Sequence, residues 1–249
     1  MRMSFSKLEL YEFCPFAYRL RYIERQKIPF SKSLVVGAIV HAVLRKFFEA
    51  LQGETDVSYE DFKEMHEEYW RNAPTLDPRR FPEVWSTSID LLTAFWSANQ
   101  NKFGAPIMLE QRFRLRMDRE DAHTVEGVID RVDKTVSGVE VIDYKSGGAP
   151  STFPRRQKSQ LHTYALALER GFQQSVTRLT VYYLKENKAV SMEPNHEFAQ
   201  ELLARYRVAS VSIASRSFAP KPGSWCTGCD FFGTCPHRWT GSRKTSDSL

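Results

Sequence analysis

Several features are missing from this sequence of 249 residues, and each absence excludes a class of protein. No run of apolar residues is long enough to cross a bilayer, which argues against a membrane-spanning helix. The opening stretch MRMSFSKLELYEF lacks the apolar core of a signal peptide, so we expect a cytoplasmic protein. The phosphate-loop pattern G-x-x-x-x-G-K-[ST] is absent as well, which excludes a recognisable NTP-driven motor. Internal repeats are also absent.

What remains is ordinary for a globular protein. The composition is 42% hydrophobic, and the chain is long enough for one large domain or two small ones. Its 35 Lys and Arg residues exceed its 30 Asp and Glu residues, which gives a formal charge of +5. This excess suits a polyanionic partner without requiring one.

The N-terminal part of the chain has a helical pattern. Apolar residues recur every three or four positions in SFSKLELYEFCPFAYRLRYIER and in SLVVGAIVHAVLRKFFEALQ, in both cases after a serine that can cap the helix. Two further helices are predicted at about Ser58 to Arg71 and about Pro82 to Lys102. The period then changes to two in APIMLEQRFRLRMD, which predicts a half-exposed strand with apolar residues on one face and arginines on the other.

The remaining elements complete an α/β pattern. A predicted hairpin is followed by the basic connector GGAPSTFPRRQKSQ, a helix through QLHTYALALER, a strand in SVTRLTVYYLKE and a long helix in EFAQELLARYRVASVSIAS. The last stretch, GSRKTSDSL, is small and polar, so we expect a disordered tail from 239 to 249. This order predicts a central mixed sheet flanked by helices.

The predicted hairpin, EGVIDRVDKTVSGVEVIDYKSGG, carries charges in segments that otherwise look buried. Residues two apart on a strand share a face, so Asp143 and Lys145 lie side by side, and Asp130 lies on the neighbouring strand. Burying such charges costs several kcal/mol unless something pairs with them. A plain salt bridge between Asp143 and Lys145 is one explanation, and a functional site is the other.

The four cysteines have the spacing of metal ligands. Cys14 stands alone near the start, and Cys226, Cys229 and Cys235 lie together in WCTGCDFFGTCPH. Four thiolates can hold either zinc or a [4Fe-4S] cluster, and the spacing alone leaves both open. Disulfides are less expected in a cytoplasmic protein, and unligated buried cysteines are a further alternative.

Six short motifs together resemble one family. GAIVHAVL, GVIDRVD, VIDYKSG and QLHTYALAL are similar, in that order, to motifs of the RecB-type nucleases of the PD-(D/E)XK superfamily. The lone Cys14 and the C-terminal cysteine group resemble the cluster ligands of the branch that carries iron and sulfur, which includes AddB-like nucleases and CRISPR adaptation nucleases. Ile129 stands where the superfamily name has proline.

The resemblance implies a fold and a domain plan. It implies one nuclease domain over residues 1 to 238, with a restriction-endonuclease-like core of mixed β-sheet and flanking helices. Within it we expect a helical region at about 34 to 104, a core at about 105 to 195, and a cluster formed by Cys14 with residues 226 to 235.

The resemblance also implies a metal site for phosphodiester hydrolysis. Hard divalent cations such as Mg2+ and Mn2+ prefer oxygen ligands, and an imidazole tilts a site toward Mn2+. The implied metal ligands are His41, Asp130, Asp143 and the carbonyl of Tyr144, with Gly37 permitting close approach of the His41 helix. The implied catalytic residues are Asp130, Asp143, Lys145, Gln160 and Tyr164. Lys145 would orient or help deprotonate the attacking water.

Other residues have weaker predicted roles. Glu110 is either a carboxylate behind the metal ligands or, as we favour, the partner of an arginine on its own strand face. For DNA binding we expect Arg155, Arg156 and Lys158 to contact phosphates. The aromatic side chains predicted to stack on bases are Tyr18, Phe153 and Tyr164.

The function that follows is a metal-dependent DNA exonuclease acting on single-stranded ends, with 5′ to 3′ polarity by resemblance alone. Its setting is either CRISPR spacer acquisition, beside integrase proteins, or recombination repair beside a separate helicase subunit. The alternative from another class is a non-catalytic nucleic-acid-binding module held together by zinc or an iron-sulfur site.

Overall fold

The arrangement of helices and strands comes from a computed structural model, which describes residues 1–73, 75–100, 102–117 and 123–241. The helices are α1 (Phe5–Phe13), α2 (Pro15–Tyr18), α3 (Lys32–Gln52), α4 (Tyr59–Arg71), α5 (Pro82–Asn99), α6 (Arg155–Gly171) and α7 (His196–Ala214). The strands are β1 (Arg2–Met3), β2 (Met108–Arg116), β3 (Thr124–Lys134), β4 (Val139–Lys145), β5 (Val176–Tyr183) and β6 (Lys188–Met192). A π-helical segment, Arg19–Ile23, continues α2.

Polar caps fix the starts of the predicted helices. Ser4 caps α1, Ser31 caps α3 and Asn195 caps α7, each by accepting a hydrogen bond from a backbone N–H of the first turn. Ser58 and Asp61 form a reciprocal capping box at α4. The helical reading of the N-terminal part is therefore confirmed, with two differences. The first predicted helix is divided at Cys14, whose backbone is extended, and α5 ends at Asn99, before the expected Lys102.

The strands form one mixed sheet of six strands across the described residues. Its order is β1-β3-β4-β5-β6, with β2 also paired to β3. The β1–β3 and β4–β5 pairs are parallel and the others are antiparallel. The predicted central mixed sheet is confirmed. The short β1 and the edge strand β6 were not expected from the sequence, because each is too short for its alternation to be recognised.

Two hydrophobic clusters cover opposite sides of the sheet. One joins β2 to β5 with α1, α6 and α7, and includes Val141, Leu161 and Leu203. The other joins the sheet to α3, α4 and α5, and includes Phe48 and Tyr144. The active-site candidates lie where α3, from one side, and α6, from the other, meet the end of β4.

Two differences from the sequence prediction concern the ends of elements. Helix α6 begins at Arg155, directly after Pro154, so the basic part of the expected connector belongs to the helix. Of the expected disordered tail, residues 242 to 249 lie outside the described residues. In the described part of the chain, no helix is both long and apolar enough to cross a membrane.

Candidate active site

Three acidic residues lie at one level across β2, β3 and β4. Glu110 on β2 lies opposite Asp130 on β3, because the residues on either side pair in the same register, Leu109 with Arg131 and Gln111 with Ile129. The last pair between β3 and β4 is Arg131 with Ile142. Asp130 and Asp143 are the next residues of the two strands and face each other beyond this pair. There the backbone N–H of Tyr144 donates to Asp130 Oδ2 at 3.1 Å. The strands thus open where the carboxylates gather.

His41 reaches this level from α3. Its Nε2 lies 3.0 Å from the carbonyl oxygen of Tyr144, and its Nδ1 lies 3.4 Å from Asp130 Oδ2. Burial disfavours the charged imidazolium, but the hydrogen bond and charge of Asp130, together with the charge of Asp143, outweigh it and raise the pKa of His41. The imidazole therefore lies in a strongly negative environment, which is also favourable for a metal cation.

Glu110 belongs to this group, and the favoured prediction for it was wrong. Arg114 of the same strand pairs instead with Glu126, at 3.9 Å. Glu110, His41 and Asp130 have ligand atoms within 4.8 Å of one another. Burial, reinforced by the charge of Asp130, raises the pKa of Glu110. Glu110 is therefore an additional candidate for binding a cation.

The backbone of β2 explains this error. On a regular strand, residues separated by an even number share a face, so Leu109 and Phe113 should pack on the same side. Leu109 packs with the α3–α5 cluster, whereas Phe113 packs with the α6 cluster. The alternation changes phase near Glu110, whose φ of 45° lies in the left-handed region. Glu110 thereby leaves the row of arginines with which simple alternation groups it.

A chain of polar contacts joins β4 to α6. Asp143 is 2% exposed, and its Oδ2 lies 2.6 Å from Lys145 Nζ. Lys145 Nζ donates to Gln160 Oε1 at 3.0 Å, and Gln160 Nε2 donates to the hydroxyl oxygen of Tyr164 at 2.8 Å. Burial raises the pKa of Asp143, with Asp130 adding to the effect and Lys145 opposing it. The structure therefore brings together four residues predicted from separate motifs.

The donor set fits a hard divalent cation. Neighbouring ligands around an octahedral ion lie about 3 Å apart when each bond is about 2.1 Å. His41 Nε2 donates to the carbonyl oxygen of Tyr144 at 3.0 Å, so a cation that bound both atoms would replace this hydrogen bond without moving them far. Asp143 Oδ2 is buried and lies 2.6 Å from the Lys145 ammonium nitrogen. A divalent cation would share this carboxylate with Lys145.

Gly37 does not have the steric role that we expected. A Cβ atom added to Gly37 would meet Ser146 Oγ at 3.5 Å, which is an ordinary contact. Helix α3 does approach the end of β4 closely, but an alanine would fit at this position. Gly127 is different, because its Cβ would lie 2.8 Å from the ring of Phe113, which packs edge-on against Tyr164.

Arg131 is a supporting residue that was not expected from the sequence. Its guanidinium donates two hydrogen bonds of 2.6 Å to Asp133 and one of 3.2 Å to the hydroxyl of Tyr144. It also lies over the ring of Phe48, 4.0 Å from the centroid. Arg131 thus fixes Tyr144, whose backbone contacts both Asp130 and His41. The sequence feature that could have revealed this role is an arginine between apolar residues of a predicted strand, because a buried charge needs partners.

Two of the three aromatic residues expected to stack on bases are buried. Tyr164 is 6% exposed and Tyr18 is 3% exposed. Tyr18 packs against Tyr11 and Phe218 in the core. That prediction is wrong for Tyr18 and Tyr164, because neither ring face is available to a nucleobase. Phe153 is half-buried.

The three predicted phosphate contacts lie in the first turns of α6. Arg155 lies 4.0 Å from Glu201, and Arg156 lies 3.9 Å from Glu9. Both arginines are largely exposed, so these long ion pairs are weak and can be exchanged for other anions. Lys158 is half-buried, and its carbonyl accepts a hydrogen bond from His162.

The four cysteines surround one pocket between α2 and the C-terminal loop. Cys14, Cys226, Cys229 and Cys235 all line it, and none of them forms a disulfide. Sulfurs bound to one zinc ion lie within about 4 Å of one another, because each bond is about 2.3 Å. No three of the described cysteine sulfurs lie within 4.8 Å of one another. The four thiols are therefore grouped around one pocket, and their positions leave both zinc and a [4Fe-4S] cluster open.

Comparisons with known proteins cover almost the whole chain. Residues 2–236 match the family model described as the PD-(D/E)XK nuclease superfamily. The Gene 69 protein of Mycobacterium phage L5 is 23% identical in an alignment of 284 positions, gaps included. The alignment covers 94% of this chain and 95% of that protein.

Two further similarities are more partial. An ATP-dependent helicase/nuclease subunit of Bacillus cereus (strain Q1) is 22% identical over 204 residues, covering 72% of this chain. The chain spans only 16% of the length of that much larger protein. The crystal structure of SSO0001 superposes with a TM-score of 0.43 and 15% identity, over 93% of this chain and 98% of that one.

Proposed function

The chain belongs to the PD-(D/E)XK nuclease superfamily, and from this premise we propose that it is a metal-dependent DNA exonuclease. Membership also confirms the predicted restriction-endonuclease-like fold, a mixed sheet flanked by helices. The observation that carries the proposal is the convergence of His41, Glu110 and Asp130 on one small volume beside Asp143 and Lys145.

The proposed metal ligands are His41, Asp130, Asp143 and the carbonyl of Tyr144, and the structure adds Glu110 to this set. When bound, a divalent cation neutralises phosphate charge and acidifies a water molecule. Carboxylate and carbonyl oxygens suit both Mg2+ and Mn2+, and the imidazole favours Mn2+.

Lys145 has the proposed role of orienting the attacking water and offsetting negative charge. Its Nζ lies between Asp143 Oδ2, at 2.6 Å, and Gln160 Oε1, at 3.0 Å, so its position is fixed from both β4 and α6. A fixed ammonium group needs little reorganisation when charge develops on the phosphate. Gln160 and Tyr164 hold this arrangement from the α6 side.

The decisive experiment measures cleavage by Asp143→Asn. Digestion of end-labelled single-stranded and duplex DNA should require Mn2+ or Mg2+ in the wild type and should be abolished in the variant. Glu126→Gln is the matched control, because Glu126 lies on β3 and pairs with Arg114 outside the site. Near wild-type cleavage by purified Asp143→Asn, with contamination excluded, would overturn the proposal.

The proposed substrate is single-stranded DNA with a free end, degraded from 5′ to 3′. The chain carries no recognised motor to separate strands, so a strand that arrives single is the simpler substrate. Arg155 and Arg156 are exposed at the start of α6, and Gln160, one turn further along the same helix, contacts Lys145. This arrangement supports Arg155, Arg156 and Lys158 as phosphate contacts leading toward the site.

We also propose that the four cysteines hold a [4Fe-4S] cluster. Four thiols around one pocket support this proposal, because a [4Fe-4S] centre takes four thiolate ligands. Anaerobically purified protein should be brown, with about four iron and four sulfide per chain. Colourless protein with one zinc ion would contradict the cluster and leave the nuclease proposal intact.

The physiological setting completes the proposal. Similarity to part of a helicase/nuclease protein supports a role in recombination repair, with a separate helicase as partner. CRISPR spacer acquisition, with integrase proteins as partners, is the other proposed setting. We propose a cytoplasmic location, where four reduced cysteines and DNA ends are both available.

A further inference from the structure

A second pocket opens directly beside the end of β4. It is lined by residues that include Lys32, Val36, Glu83, Thr87, Ser146 and Gly147. These come from the first turns of α3 and α5 and from the two positions that follow Lys145. The Cβ position of Gly37 lies 3.5 Å from Ser146 Oγ, so the α3 backbone forms one wall. The pocket therefore lies next to the end of β4, where Ser146 and Gly147 follow Lys145 directly.

Two aromatic residues lie close in the chain to Lys32 and Glu83, which line this pocket. Phe30 precedes Lys32, and Phe81 precedes Glu83, so the rings lie just before α3 and α5. Their centroids are 5.2 Å apart and their planes differ by 29°, which is a stacked arrangement. Phe30 is nevertheless 57% exposed. Packing against Phe81 alone leaves most of this apolar side chain in water.

The charges at the pocket also suit a nucleic acid. Lys32 forms an ion pair with Glu83 that bridges the starts of α3 and α5. Both side chains are largely exposed, at 59% and 71%, so the pair is weak and Lys32 can turn to a phosphate instead. A base near Phe30 would bring its own phosphate within reach of Lys32.

We propose that Phe30 and Phe81, the aromatic pair, form a stacking platform for one nucleobase of the DNA strand held at Asp143 and Lys145. This inference rests on the proposed nuclease function and replaces the buried Tyr18 and Tyr164 as base contacts. A base in a duplex is already stacked on both faces, whereas a single-stranded base has free faces to offer. The aromatic pair is therefore a physical reason for preferring single strands.

The test uses the full chain, without metal, and oligonucleotides that carry one 2-aminopurine at successive positions from an end. Stacking on an aromatic ring quenches 2-aminopurine fluorescence. Wild-type protein should quench one position strongly, and Phe30→Ala should remove that quenching and weaken binding about 5- to 100-fold. Phe30→Leu should behave like Phe30→Ala, because it keeps an apolar side chain without a π face. Phe30→Trp should retain both quenching and affinity.

A matched control separates stacking from general surface change. Ile23 is 55% exposed, close to the value for Phe30, and Ile23→Ala should bind DNA like the wild type. Lys32→Ala should lower the slope of log affinity against log salt by about one, whereas Phe30→Ala should leave the slope unchanged. Thermal melts should confirm that all variants are folded.

The outcomes distinguish this inference from the proposed function. A wild-type protein that neither binds nor cleaves any DNA contradicts the nuclease proposal, and the stacking platform falls with it. A wild type that cleaves DNA while Phe30→Ala and Phe30→Leu keep normal binding and quenching overturns the stacking platform alone. Full affinity in Phe30→Leu with loss only in Phe30→Ala would indicate an apolar docking surface, as for a protein partner, and would also overturn it.

Discussion

His66 gives the helical region a stability that depends on pH. It is fully buried between Trp70 and Trp85, and its Nε2 accepts a hydrogen bond of 3.2 Å from the Trp70 indole N–H. Burial lowers the pKa of His66 from 6.5 to about 4. The folded protein therefore holds a neutral imidazole under conditions in which the unfolded chain binds a proton.

The sign and size of the effect follow from this difference. Because the pKa in the folded state is lower than in the unfolded state, stability is fully present above about pH 6.5 and is lost as the pH falls toward about 4. The complete loss corresponds to about 3 kcal/mol, and most of it should be seen by about pH 4.5. A glutamine at this position can accept the indole hydrogen bond without titrating.

The assay is urea unfolding followed by tryptophan fluorescence at pH 7.5 and pH 4.5. We expect His66→Gln to lose about 2.5 kcal/mol less than the wild type between these two values. His196→Gln is the control for replacing a histidine, because His196 is exposed at the start of α7 and this change leaves His66 in place. Equal losses in the wild type and His66→Gln would refute the reasoning.

Three further predictions concern the site and its support. Glu110→Gln should weaken Mn2+ binding at least about tenfold by calorimetry, while Glu140→Gln, remote on β4, should not. Gly127→Ala should destabilise the protein by about 1 to 3 kcal/mol in urea unfolding, because the new Cβ meets the Phe113 ring. Adding Phe113→Leu to this variant should restore part of the lost stability. The double variant Arg155→Ala, Arg156→Ala should reduce the slope of log affinity for DNA against log salt by about one to two. Arg178→Ala, at the far end of the sheet, should leave this slope unchanged. An unchanged slope in the double variant would contradict the proposed DNA path.

The hairpin was predictable because its alternation is regular. From Val139 to Lys145 the odd positions share a face, so the positions of Asp143 and Lys145 follow from counting by two. Glu110 could not be placed in this way, since one left-handed residue changes the phase of β2 and nothing in its local sequence marks that change.

The burial of Tyr164 was not predictable for a different reason. Helix α6 packs on β2 and β5 and also contacts α1 and α7, so it is covered on more than one side. Periodicity reports how apolar each helix face is, but not which distant elements will cover it. Arg131 illustrates the same limit, because its partners Tyr144 and Phe48 come from β4 and α3, far from Arg131 in the chain.

The positions of the four cysteines in the chain also determine when, during synthesis, all four are present together. Cys14 is synthesised before Cys226, Cys229 and Cys235, which follow only with the last part of the matched domain. At about 5 to 20 residues per second, the interval between Cys14 and Cys235 is on the order of 10 to 40 seconds. Any metal loading that needs all four thiols is therefore a late event, after the rest of the nuclease domain has been made.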